Sequence, residues 1–460
     1  MKRVTGSFRD PSGYVYKLND ELFRAIRPIY QEDFNHFIGS GLYDELCRRN
    51  LIIRFSEPQD NPKDWWKTIK PEFVPFISYP YEWSFEQLKD AALATLDIQL
   101  AALEFGMILK DASAYNIQFY RGRPVHIDHL SFERLQDGVP WVAYRQFVMH
   151  FYGPLALMSK SDFRHGAQLR NFTDGLPLDY ISSNLPFSSF MNTGFLLHIH
   201  LHSKLQKFYS NTSSSEKQKS REKIRNKTIS KKTIINLAKS LKSSIEKLAL
   251  PRMDTEWGEY YRDTNYTEIA FKSKQSIVER IAERFKPRRV GDLGANDGTF
   301  SRIFSDSAEV VVCADIDYVA VGKSYSFSRS VNDCAMAHVI QDLCNPSPSL
   351  GWANQERDSF TDRSNFDFVM ALALVHHLCI AGNIPISYVA NYFSRLSPLV
   401  LIEFVPKEDS QVKRLLTSRV DIFPDYSLEN CIMEFNEYYS KYEVFHIEDS
   451  CRTLLLFSRN

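Results

Sequence analysis

Val290-Gly-Asp-Leu-Gly-Ala-Asn-Asp-Gly-Thr-Phe-Ser301 decides how the second half of this chain folds. The stretch closes a short strand, RRVGDLG, and turns through Gly294 and Gly298. Glycine suits such a turn because it accepts positive φ and lets a ligand approach the backbone. Upstream, TEIAFKSKQSIVERIAERF sets Ile277, Val278, Ile281, Ala282 and Phe285 on one face of a helix over 268–285. Downstream, EVVVCAD (309–315) is a β-branched run without polar alternation, as expected of a strand covered on both faces. HVIQD, FDFVMALAL and LVLIEF (399–404) repeat that pattern, with helical stretches such as ISYVANYFSRL between them. YEVFHI and RTLLLF, joined by a polar turn, predict a terminal hairpin. Such alternation makes an α/β fold: a mostly parallel sheet with helices on both faces. Ligands in these sheets sit at the carboxyl ends of the strands.

The turn also carries information about its ligand. A dinucleotide fingerprint reads G-x-G-x-x-G and seats a pyrophosphate on the following helix. Here the spacing is D-x-G-x-x-x-G, and the wider loop holds Asn296 and Asp297. The carboxylate of Asp297 repels a pyrophosphate, so an adenosyl group without phosphates fits better. Asp292, at the strand's end, can orient the turn or meet a cation. The next strand ends at Asp315, 21 residues after Gly294, where a carboxylate can hold both hydroxyls of a ribose. Asp317 is the nearby alternative, and either acid would otherwise serve as a plain turn residue. Asp342, after HVIQ, can accept from an adenine amino group while Leu343 packs the ring.

This order of elements resembles class I S-adenosylmethionine-dependent methyltransferases over about 255–460. Their first motif matches 290–298, their ribose acid matches Asp315 and their fourth strand matches 366–372. The strings ALALVHHL, NIPI, LIEFVPKEDSQV and DLCNPSPSLGW are similar to methyltransferases related to the nodulation protein NoeA. So are PYEWSFEQLKDAALATLDIQLAALEFG and KDASAYNIQF, which extends the resemblance over most of the chain. It implies a Rossmann-like domain with a terminal antiparallel hairpin. It also implies S-adenosyl-L-methionine as cofactor, held by Asp292, Gly294, Asn296, Gly298, Asp315, Asp342, Leu343 and Ala373. The implied reaction is methylation of a hydroxyl or amine on a small-molecule or saccharide acceptor. His376 and His377 follow the fourth strand, where the reactive methyl should point. Histidine suits proton removal near neutral pH, although adjacent histidines also cap helices or support loops. Glu403, ending LVLIEF, is a second candidate base and otherwise orients a neighbour. Trp257, Tyr260 and Tyr261 precede the first helix and are candidates for a lid over the cofactor.

The first half has a different pattern. EQLKDAALATLDIQLAALEFGMILKD reads as a long helix ending in glycine. It leads to Asp111 and Asn116, then a short hairpin turning at Arg121-Gly122, then Asp128. This spacing resembles the catalytic core of protein-kinase-like phosphotransferases, which implies a nucleotide and magnesium site at Asp111, Asn116 and Asp128. The pattern departs from theirs in several places. Lys110 stands where a histidine is usual, IDHLSF replaces Asp-Phe-Gly, and no glycine-rich phosphate loop is evident. Lys17, Arg24 and Arg27 are the only approximations to the phosphate-binding lysine. The bland alternative is a polar turn inside a helical domain.

These readings divide the chain into an N-terminal α+β domain (1–200), a basic linker with a helix in its second half (201–251), and the methyltransferase-like domain (252–460). From His202 to Pro251 there are 13 Lys/Arg against three Glu. Over the whole chain 56 basic and 56 acidic residues cancel, so no global field argues for nucleic acid. No apolar run approaches the roughly 18 residues of a membrane span. Seven scattered cysteines without metal spacing predict a reducing cytoplasm and no metal site. Three rivals remain at this stage: a bifunctional protein with an ATP-binding first half, a non-catalytic cofactor-binding scaffold, and a dinucleotide oxidoreductase.

Overall fold

A computed structural model describes residues 2–58, 65–204, 229–251, 266–417 and 421–459. The chain forms two compact units, one of residues 1–74, 78–252 and 351–357, the other of 75–77, 253–350 and 358–460.

The second unit is built on a seven-stranded sheet. Its strands are β10 (Arg289–Leu293), β11 (Val310–Asp315), β12 (Met336–Ile340), β13 (Phe368–Ala371), β14 (Leu399–Phe404), β15 (Lys441–His446) and β16 (Thr453–Ser458). Their order is β12-β11-β10-β13-β14-β16-β15. The first five are parallel to their neighbours, and β16 runs antiparallel between β14 and β15. This is the Rossmann-like sheet with a terminal antiparallel hairpin that the sequence implies. The β-branched runs explain why it forms. Val310, Val312 and Ala314 enter one apolar cluster and Val311 and Cys313 the other, one on each face of the sheet. Strand period two thus buries every residue of β11. The helix Glu268–Phe285 starts at Thr267, whose side chain accepts from the Ala270 amide, and buries Ile277, Val278, Ile281 and Ala282. It stops at Lys286, which adopts φ 44°.

Sequence and structure differ at β13. The run FDFVMALAL reads as one strand, but the strand ends at Ala371 and the chain turns through Ala373 at φ 50°. That left-handed conformation costs a residue with a Cβ and halts the ladder.

The first unit is α+β. Its strands β1 (Lys2–Arg3), β2 (Gly13–Leu18), β3 (Glu21–Ile26), β4 (Phe55–Ser56) and β5 (Lys67–Pro71) form an antiparallel sheet ordered β1-β2-β3-β5-β4. The long helix runs over Phe85–Glu104, opened by a capping box between Ser84 and Gln87. It is shorter than the sequence pattern suggests. Gly106 turns at φ 73°, and Met107–Leu109 becomes β6, paired with β9 (Phe132–Arg134). Between them lies the hairpin of β7 (Ile117–Tyr120) and β8 (Arg123–His126). Arg121 and Gly122 both have positive φ there, as a two-residue hairpin turn requires.

The helix expected in the second half of the basic linker spans Lys231–Glu246 and packs into the first unit. It buries Ile234, Ala238, Leu241 and Ile245. Lys242 pairs with Asp97, and Lys89 donates to the carbonyls of Glu246 and Leu248 at 2.9 and 2.7 Å. Both partners, Asp97 and Lys89, lie on the helix Phe85–Glu104. No described helix is long and apolar enough to cross a membrane.

Candidate cofactor site and its surroundings

The glycine turn is fastened to the neighbouring strand. The amides of Gly294 and Ala295 donate to the Ala314 carbonyl at 2.8 and 3.1 Å. Gly294 and Gly298 have φ of 76° and 77°, and Asn296 joins them at 51°. A Cβ on Gly298 would meet Ser324 Oγ at 2.5 Å, so helix packing as well as backbone conformation demands glycine there. At Gly294 a Cβ would meet Leu374 at 3.2 Å.

Asp315 sits across the turn, at the end of β11. One carboxylate oxygen accepts from the Asn296 amide at 2.7 Å, the other from the Asp317 amide at 2.9 Å. Burial pushes its carboxyl up to about 6, against the pull of these amide bonds. Asp317 has a different job. Its side chain accepts from the amides of Val319 and Ala320 and caps the helix Tyr318–Ser330. Asp292 is buried at the end of β10 and accepts from Ser301 Oγ. Burial pushes it up to about 7, opposed by Ser301 and by the Lys274 ammonium. Asp342 follows β12, half-buried, with one oxygen accepting from the Cys344 amide at 2.8 Å. Leu343 and Ala373 pack against the apolar cluster on one face of the sheet. The turn and the acids therefore stand at the carboxyl ends of β10, β11 and β12, where the sheet's topology places a ligand.

His376 and His377 follow the Ala373 turn with ring centroids 4.1 Å apart. Burial holds His377 down to about 4 and His376 well below its ordinary value, so both rings are neutral at pH 7. His376 is buried, and its Nδ1 has no hydrogen-bond partner. The Nδ1 atoms of His126, His129, His150 and His202 are orphaned in the same way, so this nitrogen can take a ligand's bond but does not single out the site.

Glu403 is fully buried and fully engaged. Lys274 Nζ lies 2.7 Å from one oxygen, Arg452 Nη1 lies 3.6 Å from the other, and the Tyr266 hydroxyl donates to it. Arg452 also donates to Tyr266 at 2.8 Å and to Asp409 through Nε at 2.8 Å. Burial alone would raise the Glu403 carboxyl, yet the two cations hold it below the usual carboxylate range. It stays ionised as the centre of a salt-bridge network. Lys274, Tyr266 and Arg452 were invisible to sequence reasoning, because they belong to three separate stretches that only the fold assembles. The one signal in the sequence was Lys274 itself, a charged residue on the apolar side of a helical pattern. Trp257, Tyr260 and Tyr261 lie outside the described residues.

In the first unit, Asp128 and Asn116 meet through Ser131. Ser131 Oγ donates to Asp128 at 2.7 Å and accepts from Asn116 Nδ2 at 3.2 Å. Of the three cations proposed from sequence, Arg24 reaches Asp128, at 2.5 Å, and it also contacts Asp10 at 3.3 Å. Burial raises the Asp128 carboxyl, but Arg24, His126 and the Ser131 bond outweigh it and hold the group below its ordinary value. Asp111 accepts from Gln146 Nε2 at 2.8 Å and from the Ser113 amide at 3.0 Å. Lys110 donates to Ser12 at 3.0 Å and lies over the Tyr30 ring. Among the described residues no three His, Cys, Asp or Glu side chains are arranged to hold a metal ion.

No family model matches the chain. Among solved structures, crystalline WbdD matches 42% of this chain and 41% of its own at 17% identity and a TM-score of 0.30. Magnesium protoporphyrin IX methyltransferase (ChlM) from Synechocystis PCC 6803, with bound SAH, matches 44% of this chain and 91% of its own at 16% identity and a TM-score of 0.30. The matched part is thus less than half of WbdD, and likenesses this distant carry no functional weight. The sequence relationship is much stronger. Nodulation protein NoeA of Rhizobium meliloti (strain 1021) is 33% identical over 468 residues, which covers 100% of this chain and 96% of that protein. On that full-length similarity, the chain belongs to the family of nodulation protein NoeA.

Proposed function

We propose that the second unit is an S-adenosylmethionine-dependent methyltransferase acting on a hydroxyl or amine of a small-molecule or saccharide acceptor. The observation that carries this reading is Asp315, oriented by two backbone amides beside a glycine turn of positive φ. A ribose can offer its two hydroxyls to such a carboxylate, and glycine at 294 and 298 lets the turn hold its positive φ while Leu374 and Ser324 pack close against it. The donor set suits a sulfonium nucleoside better than a pyrophosphate. Asp292, Asp297 and Asp315 surround the turn, and Arg302 is committed to the Asp297 carbonyl and Thr299. Asp342 would receive the adenine amino group, with Leu343 against the ring.

The bound cofactor would supply an electrophilic methyl on sulfur. The protein's contribution is then alignment and exclusion of water, where effective molarity can supply about 7–11 kcal/mol of the barrier. His376 and His377, neutral at pH 7, would chiefly orient the acceptor; burial, which holds His377 down to about 4, leaves both rings weak bases for its proton. Glu403, held by Lys274 and Arg452, fits a positioning part better than that of a free base. The test is incubation of the full chain with labelled S-adenosylmethionine and fractionated cell extract. Label should enter one acceptor fraction, and His376→Ala should cut that transfer far more than it weakens cofactor binding. Binding without transfer to any fraction would favour a scaffold instead.

A second reading concerns the first unit, where the spacing of Asp111, Asn116 and Asp128 in the sequence resembles a nucleotide and magnesium site. It is favoured by Ser131, which bonds both Asn116 and Asp128; Arg24, 2.5 Å from one Asp128 oxygen, would have to yield that oxygen to a magnesium ion. Titration with magnesium and ATP should give saturable binding that Asp128→Ala abolishes. A flat titration removes this reading.

A further inference from the structure

The first unit carries an apolar face for which the reactions considered above have no use. Phe187 and Met191 lie in a short turn of helix and are 87% and 88% exposed. Leu197 and Leu201, on the helical stretch 193–204 that follows, are also exposed. The turn is fastened to that stretch. Phe190 stacks on the His200 ring at 3.8 Å, and the His200 nitrogens bond Ser182 and Ser189 at 2.8 Å each. Asn192 caps the stretch by accepting from the Phe195 amide. Large apolar side chains are therefore held outward on a fixed support, and their exposure on two adjoining elements points to an interaction surface.

We propose that this face seats the first unit on the surface of an anionic lipid bilayer. Two observations select that occupant. First, side chains this exposed protrude from the surface and need no preformed pocket on the lipid side. Protruding Phe and Met suit insertion of about 5–10 Å into the headgroup boundary. Second, the flanking charge is basic. Lys204 sits over the Phe190 ring at 5.8 Å. Lys231, Lys232 and Lys239 are exposed on the helix Lys231–Glu246, which Ser240 ties to His198 at 3.2 Å. Among the described residues of 202–251, Lys204, Lys231, Lys232, Lys239, Lys242 and Lys247 stand against Glu246, and basic stretches are drawn to anionic headgroups. Apolar wedge and cationic rim together make a two-part peripheral attachment, compatible with the lack of a spanning helix among the described residues.

The test is co-sedimentation of the full chain with vesicles of phosphatidylglycerol and phosphatidylcholine in equal parts, and with phosphatidylcholine alone. The chain should pellet with the mixed vesicles and release in high salt. The double variant Phe187→Ser/Met191→Ser should lower that partitioning by about tenfold or more with an unchanged melting curve, since both side chains are solvated. If that variant fails to fold, Lys204→Glu/Lys231→Glu/Lys232→Glu should abolish the preference for phosphatidylglycerol. Failure of the wild-type chain to pellet, or equal pelleting of either folded variant, overturns the proposal. So does lipid-free self-association that Phe187→Ser/Met191→Ser removes, which would assign the face to a second copy.

Discussion

Replacing Asp315 by Asn tests whether this carboxylate serves the fold or the cofactor. Its oxygens accept from the amides of Asn296 and Asp317, and burial pushes its carboxyl up to about 6. A value raised above the unfolded one means the associated stability is fully present below about pH 4 and is lost as pH rises through 6. Two pKa units correspond to about 3 kcal/mol, the order of the cost of keeping Asp315 ionised at pH 8. Asn removes that cost but turns an N–H toward one amide donor, forfeiting about 1–3 kcal/mol. The two effects nearly cancel, so the apoprotein at pH 8 should melt within a few degrees of wild type. Cofactor binding has no such compensation. Losing one charge-assisted bond to a ribose hydroxyl costs about 1.5–3 kcal/mol, or about 10- to 150-fold in affinity. Calorimetric titration with S-adenosylmethionine and a thermal melt, both at pH 8, measure the two quantities. Unchanged affinity would refute the ribose assignment. A collapse of the melt alone would make Asp315 a purely structural clasp for the turn.

The same raised carboxyl predicts that cofactor affinity is flat above about pH 7 and falls below about pH 6, by up to tenfold per unit as Asp315 protonates, measured by calorimetry across pH. Lys274→Met should destabilise the second unit by about 3–5 kcal/mol, because it leaves Glu403 buried beside one remaining cation at 3.6 Å. The double variant Lys274→Met/Glu403→Leu should recover much of that loss in urea unfolding; equal destabilisation by single and double variants would deny the coupling. Gly298→Ala should cost about 1–3 kcal/mol from its positive φ and the contact with Ser324 Oγ. Adding Ser324→Ala should relieve the contact but not the backbone part, and full recovery would show that conformation contributes nothing.

The parts of this protein legible from sequence are those whose signal is local. β11 announced itself through an uninterrupted β-branched run, the glycine turn through its spacing, and the Arg121-Gly122 hairpin through its turn residues. The place of Asp315 at the end of β11, facing the turn, was legible because its distance from the turn is set by one helix-and-strand repeat. The rest depends on contacts between distant segments. The end of β13 at Ala371 was hidden because Leu372, Ala373 and Leu374 are as apolar as the strand before them, and only the φ of Ala373 separates them. The salt-bridge network around Glu403, a candidate base or positioning residue in the sequence, was hidden because Lys274, Tyr266 and Arg452 reach it from 129, 137 and 49 residues away. The docking of the helix Lys231–Glu246 was hidden by its charge, since only one stripe of four apolar residues meets the core.

The most direct measurement is a calorimetric titration of the wild-type chain with S-adenosylmethionine and, separately, with NAD. The account predicts one saturable site for the sulfonium nucleoside and no heat from the dinucleotide. Binding of NAD with a flat S-adenosylmethionine trace would contradict it.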